Sequence, residues 1–125
     1  MARILVVDDE EPIRELLRRL LSLHGHAVDT ASNGAEAVDR LQKAAYDLMI
    51  IDRAMPKLSG VDAVAMLRTS PKFKRLKILM ATMTSTTKDV DEAFEAGVDG
   101  YVVKPFNMEA LVAKVQRTLL GSHER

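Results

Sequence analysis

Short, unbroken apolar runs alternate with amphipathic helical patterns from one end of this chain to the other, and that alternation leaves few folds open. The runs are Ile4-Leu5-Val6-Val7, Leu48-Met49-Ile50-Ile51, Ile78-Leu79-Met80-Ala81 and Tyr101-Val102-Val103. They are continuous rather than every second residue, as in strands of a parallel sheet covered on both faces. The spacing predicts strands over about 3–7, 27–30, 47–51, 77–81 and 100–103. Between them lie apolar residues at helical intervals. The first helix starts near Pro12, carries Ile13, Leu16, Leu17, Leu20 and Leu21, and stops at Gly25. Asn33-Gly34 marks a turn before a second helix with Ala37, Val38 and Leu41. A third carries Val61, Val64, Met66 and Leu67 and ends before Pro71. Lys72 to Lys77 reads as a basic surface connection. Val90, Ala93 and Phe94 lie on a fourth helix ending near Gly97, and Met108, Leu111, Val112, Val115 and Leu119 share a face of the fifth.

Five strand–helix units in one row predict a doubly wound (βα)5 parallel sheet. The expected strand order is the flavodoxin-like 2-1-3-4-5, in which strands one and three lie side by side. Ligands of such sheets bind at the carboxyl ends of the strands. Those ends hold Asp8 and Asp9 after strand one, Asp52 after strand three, Thr82 after strand four, and Lys104-Pro105 after strand five.

The bulk properties remove other classes. The 125 residues carry 18 basic and 18 acidic side chains, a net charge of zero, spread along the chain without a basic patch. Direct nucleic-acid binding is therefore not expected. There is no cysteine, so thiolate metal sites and disulfides are excluded. No apolar run approaches the roughly 18 residues of a membrane span, and Asp8 and Asp9 break any signal-peptide pattern. The expectation is a single cytoplasmic domain over 1–125, with its core at about 3–120 and no output domain after the fifth helix.

Three carboxylates in one cleft repel each other, and a hard divalent cation relieves the repulsion. Oxygen donors without sulfur or imidazole suit Mg2+, with Mn2+ a substitute. Carboxylates also act as nucleophiles that form aspartyl-phosphates. Asp52, central on the rim, is the candidate nucleophile. Lys104 offers a cation and Thr82 a hydroxyl to phosphoryl oxygens.

The ordered set Val6-Val7-Asp8-Asp9-Glu10, Asp52 to Gly60 in the pattern D-x-x-M-P-x-x-x-G, Thr82, and Tyr101-Val102-Val103-Lys104-Pro105-Phe106 resembles the receiver domain of two-component response regulators. The likeness is to the stand-alone type in particular, such as the chemotaxis response regulator. The resemblance implies that Asp52 accepts a phosphoryl group from a histidine kinase or histidine phosphotransfer protein. It implies that Asp8, Asp9, Asp52 and the main-chain carbonyl of Arg53 hold magnesium. Thr82 and Lys104 would bind phosphoryl oxygens, Tyr101 would swing inward upon activation, and the Lys104-Pro105 bond would be cis. The implied output is a change in the face of helix four, strand five and helix five, controlling a downstream protein target. Lys88, Asp91, Glu95 and Val102 are surface positions for that contact. Such a protein catalyses its own phosphorylation and dephosphorylation but is a signalling protein rather than an enzyme, a monomer or weak dimer.

Met83 departs from the family, which commonly has Ala or Gly after the Thr; the larger side chain is expected to narrow access to the site. Ala54, two residues after Asp52, offers no polar group to position an attacking water. It also weakens an alternative, the haloacid-dehalogenase-type phosphatases, which usually carry a second Asp there. A flavodoxin lacks support because the acidic rim repels a flavin phosphate. A phosphorylation-independent pseudo-receiver is the remaining alternative. Taken singly, Asp8 and Asp9 also suit a helix N-terminus, and Lys104 a surface position. His24, His26 and His123 read as surface or helix-end residues. The methionines other than Met1 and Met83 read as core fillers.

Overall fold

The computed structural model of the chain describes residues 1–121, so His123 lies outside the described residues. The elements run β1 (Arg3–Val7), α1 (Glu11–Leu23), β2 (Ala27–Ala31), α2 (Gly34–Lys43), β3 (Leu48–Asp52), α3 (Gly60–Arg68), a 3-10 turn (Pro71–Phe73), β4 (Lys77–Thr82), α4 (Thr87–Ala96), β5 (Gly100–Val103) and α5 (Met108–Leu119). All strand pairs are parallel, in the order β2-β1-β3-β4-β5 expected from the sequence.

Alternate residues of each central strand feed opposite cores. Ile4 and Val6 of β1, Leu48 and Ile50 of β3, and Leu79 of β4 pack with Leu17, Leu21, Leu111 and Val115 beneath α1 and α5. Leu5, Val7, Met49, Ile51, Ile78 and Met80 pack with Leu41, Val64, Leu67 and Ala93 beneath α2, α3 and α4. Each large side chain buried this way contributes on the order of 2 kcal/mol. This two-sided burial explains the unbroken apolar runs. It also sets the rim: Val7 pairs with Ile51 and Asp52 with Ala81, so Asp8, Asp52 and Thr82 emerge together.

Several expectations need correction. Leu16, Met66 and Met108 face solvent, 37%, 49% and 44% exposed, so the last two are not core fillers. Ala63 and Thr118 take buried places on α3 and α5. Asn33-Gly34 is not a separate turn but the start of α2: the Asn33 side chain accepts from Glu36 N–H at 2.8 Å. Glu36 in turn accepts from the Ser32 N–H and hydroxyl, a reciprocal cap that lowers its pKa. Part of the connection after α3 is helical, over Pro71–Phe73.

Candidate functional site: an acidic rim with one shared lysine

Asp8 and Asp52 are 2% and 6% exposed, and Thr82 is 2% exposed. Asp8 directly follows β1, and Asp52 and Thr82 are the last residues of β3 and β4, so the sheet fixes the main chain that carries each of them. Asp8 Oδ1 accepts from the Glu10 N–H at 2.9 Å, and its carbonyl accepts from Arg14 Nη1 at 2.7 Å. Its other carboxylate oxygen accepts from Lys104 Nζ at 2.7 Å. The same Nζ lies 3.3 Å from Asp52 Oδ1. Lys104 thus joins the two carboxylates across the β1–β3 junction, and its peptide bond to Pro105 is cis.

One cation shared between acids leaves the charge unbalanced. Burial raises the Asp52 carboxyl, and the Asp8 carboxylate raises it further; Lys104 only partly opposes them, and the result is about 6. Burial alone would lower the Lys104 ammonium, but its bond to Asp8 and the attraction of both acids raise it. Asp52 is therefore a carboxylate that is ionised at neutral pH yet held at a cost.

Asp9 is exposed, and its carboxylate approaches those of Asp8 and Glu10, with one oxygen of each inside a 4.8 Å group. The donor set is oxygen only and fits a hard divalent cation. Glu10 carries no role in the sequence reading, although it lies inside the first motif. Asp52 stands outside this trio and is linked to it through Lys104. The Arg53 carbonyl accepts from the Gly60 N–H at 2.8 Å, and a carbonyl retains a second lone pair. Gly60 is required for that closure, since a Cβ there would stand 2.3 Å from the Asp52 carbonyl oxygen.

On the other side, Asp52 opens to a cleft of about 360 Å³ lined by Arg53, Ala54, Ser59, Val61, Thr82, Met83, Thr84 and Glu92. Met83, expected to narrow access, is 77% exposed and stands at the mouth. Tyr101, expected to swing inward, is already buried, and its hydroxyl donates to the Thr84 carbonyl at 2.7 Å. The Thr84 N–H donates to Thr82 Oγ1 at 3.2 Å. A chain of hydrogen bonds therefore runs from the rim to β5. Away from the rim, His24 caps α1, and His26 is half-buried with Nδ1 accepting from the Ala2 N–H. Neither joins the site.

Comparison with known proteins agrees with this geometry. The family model for the response regulator receiver domain matches residues 4–116. The transcriptional regulatory protein ResD of Bacillus subtilis is 40% identical over 117 residues, which is 94% of this chain and 48% of ResD. The chain spans about half the length of the curated relatives it matches. The chemotaxis response regulator CheY4 of Vibrio cholerae superposes with a TM-score of 0.90 at 37% identity, covering 94% of this chain and 98% of that one. TrrA of Thermotoga maritima, determined in complex with Mg2+-BeF, gives 0.84 at 43% identity, covering 94% and 99%. Its rim, its strand order and these likenesses together place the chain in the response regulator receiver domain family of two-component systems.

Proposed function

We propose that Asp52 is the phospho-acceptor of this receiver and that its modification controls a protein partner through the face of α4, β5 and α5. The observation that carries the reading is Asp52 itself: a buried carboxylate with its pKa raised to about 6, beside a lysine and open to a cleft. In the reaction an Asp52 carboxylate oxygen attacks phosphorus. The bond from phosphorus to the donor breaks, and imidazole leaves from a phosphohistidine or acetate from acetyl phosphate. The protein's part is positioning and charge stabilisation. Lys104 stays beside the acceptor and offers its ammonium to a phosphoryl oxygen, while Thr82 offers its hydroxyl to another. Asp8, Asp9, Asp52 and the Arg53 carbonyl would hold Mg2+, or Mn2+ in its place, and the ion would supply positive charge against the carboxylates and phosphoryl oxygens.

The donor is a histidine kinase or histidine phosphotransfer protein, and the output is a downstream protein target. Lys88, Asp91, Glu95 and Val102 lie on the responding face, with Tyr101 coupling it to Thr82. The chain works in the cytoplasm as a monomer or weak dimer; none of the described helices is long and apolar enough to cross a membrane. Hydrolysis of the aspartyl-phosphate proceeds without help from Ala54, and Met83 at the cleft mouth sets access.

Intact mass after incubation with Mg2+ and acetyl phosphate tests the acceptor. One added phosphoryl group is expected in the wild type and none in Asp52→Asn or without the metal. An unmodified wild type, or a modified Asp52→Asn, would sink the assignment and favour a phosphorylation-independent interaction module.

A further inference from the structure

The side chain of Arg53 leaves the acceptor loop and enters α4. Its Nη1 donates to the main-chain carbonyl of Asp89 at 2.9 Å, and its Nη2 donates to Glu92 Oε1 at 3.0 Å, with Asp89 Oδ1 3.6 Å away. Only 15% of the side chain is exposed, so these contacts are screened less than a surface ion pair. Asp89 belongs to the first turn of α4, where its N–H donates to the capping Thr86 Oγ1 at 3.3 Å. The main chain of Arg53 is committed too: its N–H donates to the Ala81 carbonyl and its own carbonyl accepts from Gly60, both at 2.8 Å. The residue directly after Asp52 therefore ties together the end of β4, the start of α3 and the start of α4.

Arg53 and Glu92 also line the cleft that holds Asp52. Two cations belong to the surroundings of Asp52, and they are held differently: Lys104 is shared between Asp8 and Asp52, whereas Arg53, which lines the same cleft, is held by α4. A guanidinium pairs with phosphoryl oxygens through two parallel N–H donors. A phosphoryl group carries about −1.5 to −2 charge, more than either α4 carboxylate offers. Charge placed on Asp52 is thus a direct competitor for Arg53.

We propose that Arg53 is a charge-responsive latch, holding α4 through Asp89 and Glu92 while Asp52 is unmodified and drawn from them by a phosphoryl group on Asp52. The proposal rests on the acceptor role of Asp52. Arg53 acts here as a positioning residue. Competition of this kind is reciprocal: weakening the α4 acids strengthens anion binding at Asp52.

Beryllofluoride with Mg2+ is the probe, titrated by NMR into wild type, Glu92→Gln, Asp89→Asn/Glu92→Gln and Arg53→Lys, with amide exchange of residues 88–93 followed in each. In Glu92→Gln the apparent Kd is expected to fall about three- to tenfold, and further in the double variant. In wild type the probe is expected to speed exchange in α4. Arg53→Lys keeps the charge but lacks the fork, and its α4 is expected to exchange faster before any probe is added. Equal Kd in wild type and Glu92→Gln, or α4 exchange in wild type that ignores the probe, overturns the latch alone. Absence of binding by every variant overturns the acceptor reading and the latch with it.

Discussion

Two half-buried cations sit at the ends of this sheet, and their surroundings differ. Arg68, at the end of α3, donates Nε to the Gly97 carbonyl at 2.9 Å, Nη1 to the Phe73 carbonyl at 2.7 Å and Nη2 to Asp99 Oδ2 at 3.0 Å. Asp99 Oδ2 also accepts the Ile78 N–H at 2.9 Å. Cation and carboxylate are matched, and the donors meet acceptors fixed by β5, β4 and the 3-10 turn. Lys104 at the opposite rim serves two buried carboxylates at once. The matched pair joins elements; the mismatched one leaves a carboxylate at about 6, whose excess negative charge an incoming cation can relieve. Among the described residues no buried side-chain nitrogen or oxygen lacks a partner, so the rim's cost is excess charge rather than missing hydrogen bonds.

Removing Arg68 should have the largest effect on stability. Arg68→Ala loses three hydrogen bonds and removes the guanidinium paired with Asp99, and a cost of about 2–4 kcal/mol is expected. Urea denaturation measures it, and a loss below about 1 kcal/mol would break the contrast between the two ends. The rim should behave in the opposite sense. Because folding raises the Asp52 carboxyl from 3.8 to about 6, the folded protein holds that proton more tightly than the unfolded chain. The stability this group contributes is complete below about 3.8 and is lost as pH rises through about 6. Asp52→Asn should therefore be more stable than wild type at pH 8, by roughly 2 kcal/mol. The gap should narrow through pH 6 and close near pH 4. Denaturation midpoints of the two proteins across pH 4–8 test this; a constant gap would mean that charge at Asp52 is not what the rim costs. The smallest effect expected is at Lys57, whose φ of 73° puts a non-glycine residue in the left-handed region in the loop between β3 and α3. Lys57→Gly should relieve that strain for a gain of roughly 0.5 kcal/mol, reduced by the freedom glycine adds to the unfolded chain. A thermal melt showing a loss would place no strain there.

The same contrast explains what was legible in the amino-acid sequence. Strand ends are local signals: an apolar run that stops at a polar or charged side chain announces a rim residue, and Asp8, Asp52, Thr82 and Lys104 stood out for that reason. The strand order was an expectation taken from the flavodoxin-like arrangement, which sequence alone does not set, and the sheet adopts it. Helix faces were read less well at their margins. Leu16, Met66 and Met108 keep helical spacing, yet a helix on one side of a sheet buries only a stripe, and periodicity does not say where the stripe ends. The α2 cap was readable, because Asn33 precedes Glu36 by three residues, but the Asn-Gly pair suggested a turn first. The side-chain networks were not readable. Arg53 meets Asp89 and Glu92, and Arg68 meets Asp99, across 30 or more residues of chain, and a lone arginine in sequence carries no mark of its partner.

The hydrogen-bond chain from Thr82 to Tyr101 has a consequence for tempo. Both of its links pass through the main chain of Thr84, which donates its N–H to one neighbour and accepts at its carbonyl from the other. Neither Thr82 nor Tyr101 can change partner by a rotamer flip alone without leaving a peptide group of Thr84 to find a new one. A side-chain flip takes picoseconds to nanoseconds, whereas collective loop and helix motions reach microseconds to milliseconds. Under the proposed coupling of Thr82 to Tyr101, a rearrangement of this chain therefore belongs to the slower regime, set by how fast the segment between β4 and α4 rearranges.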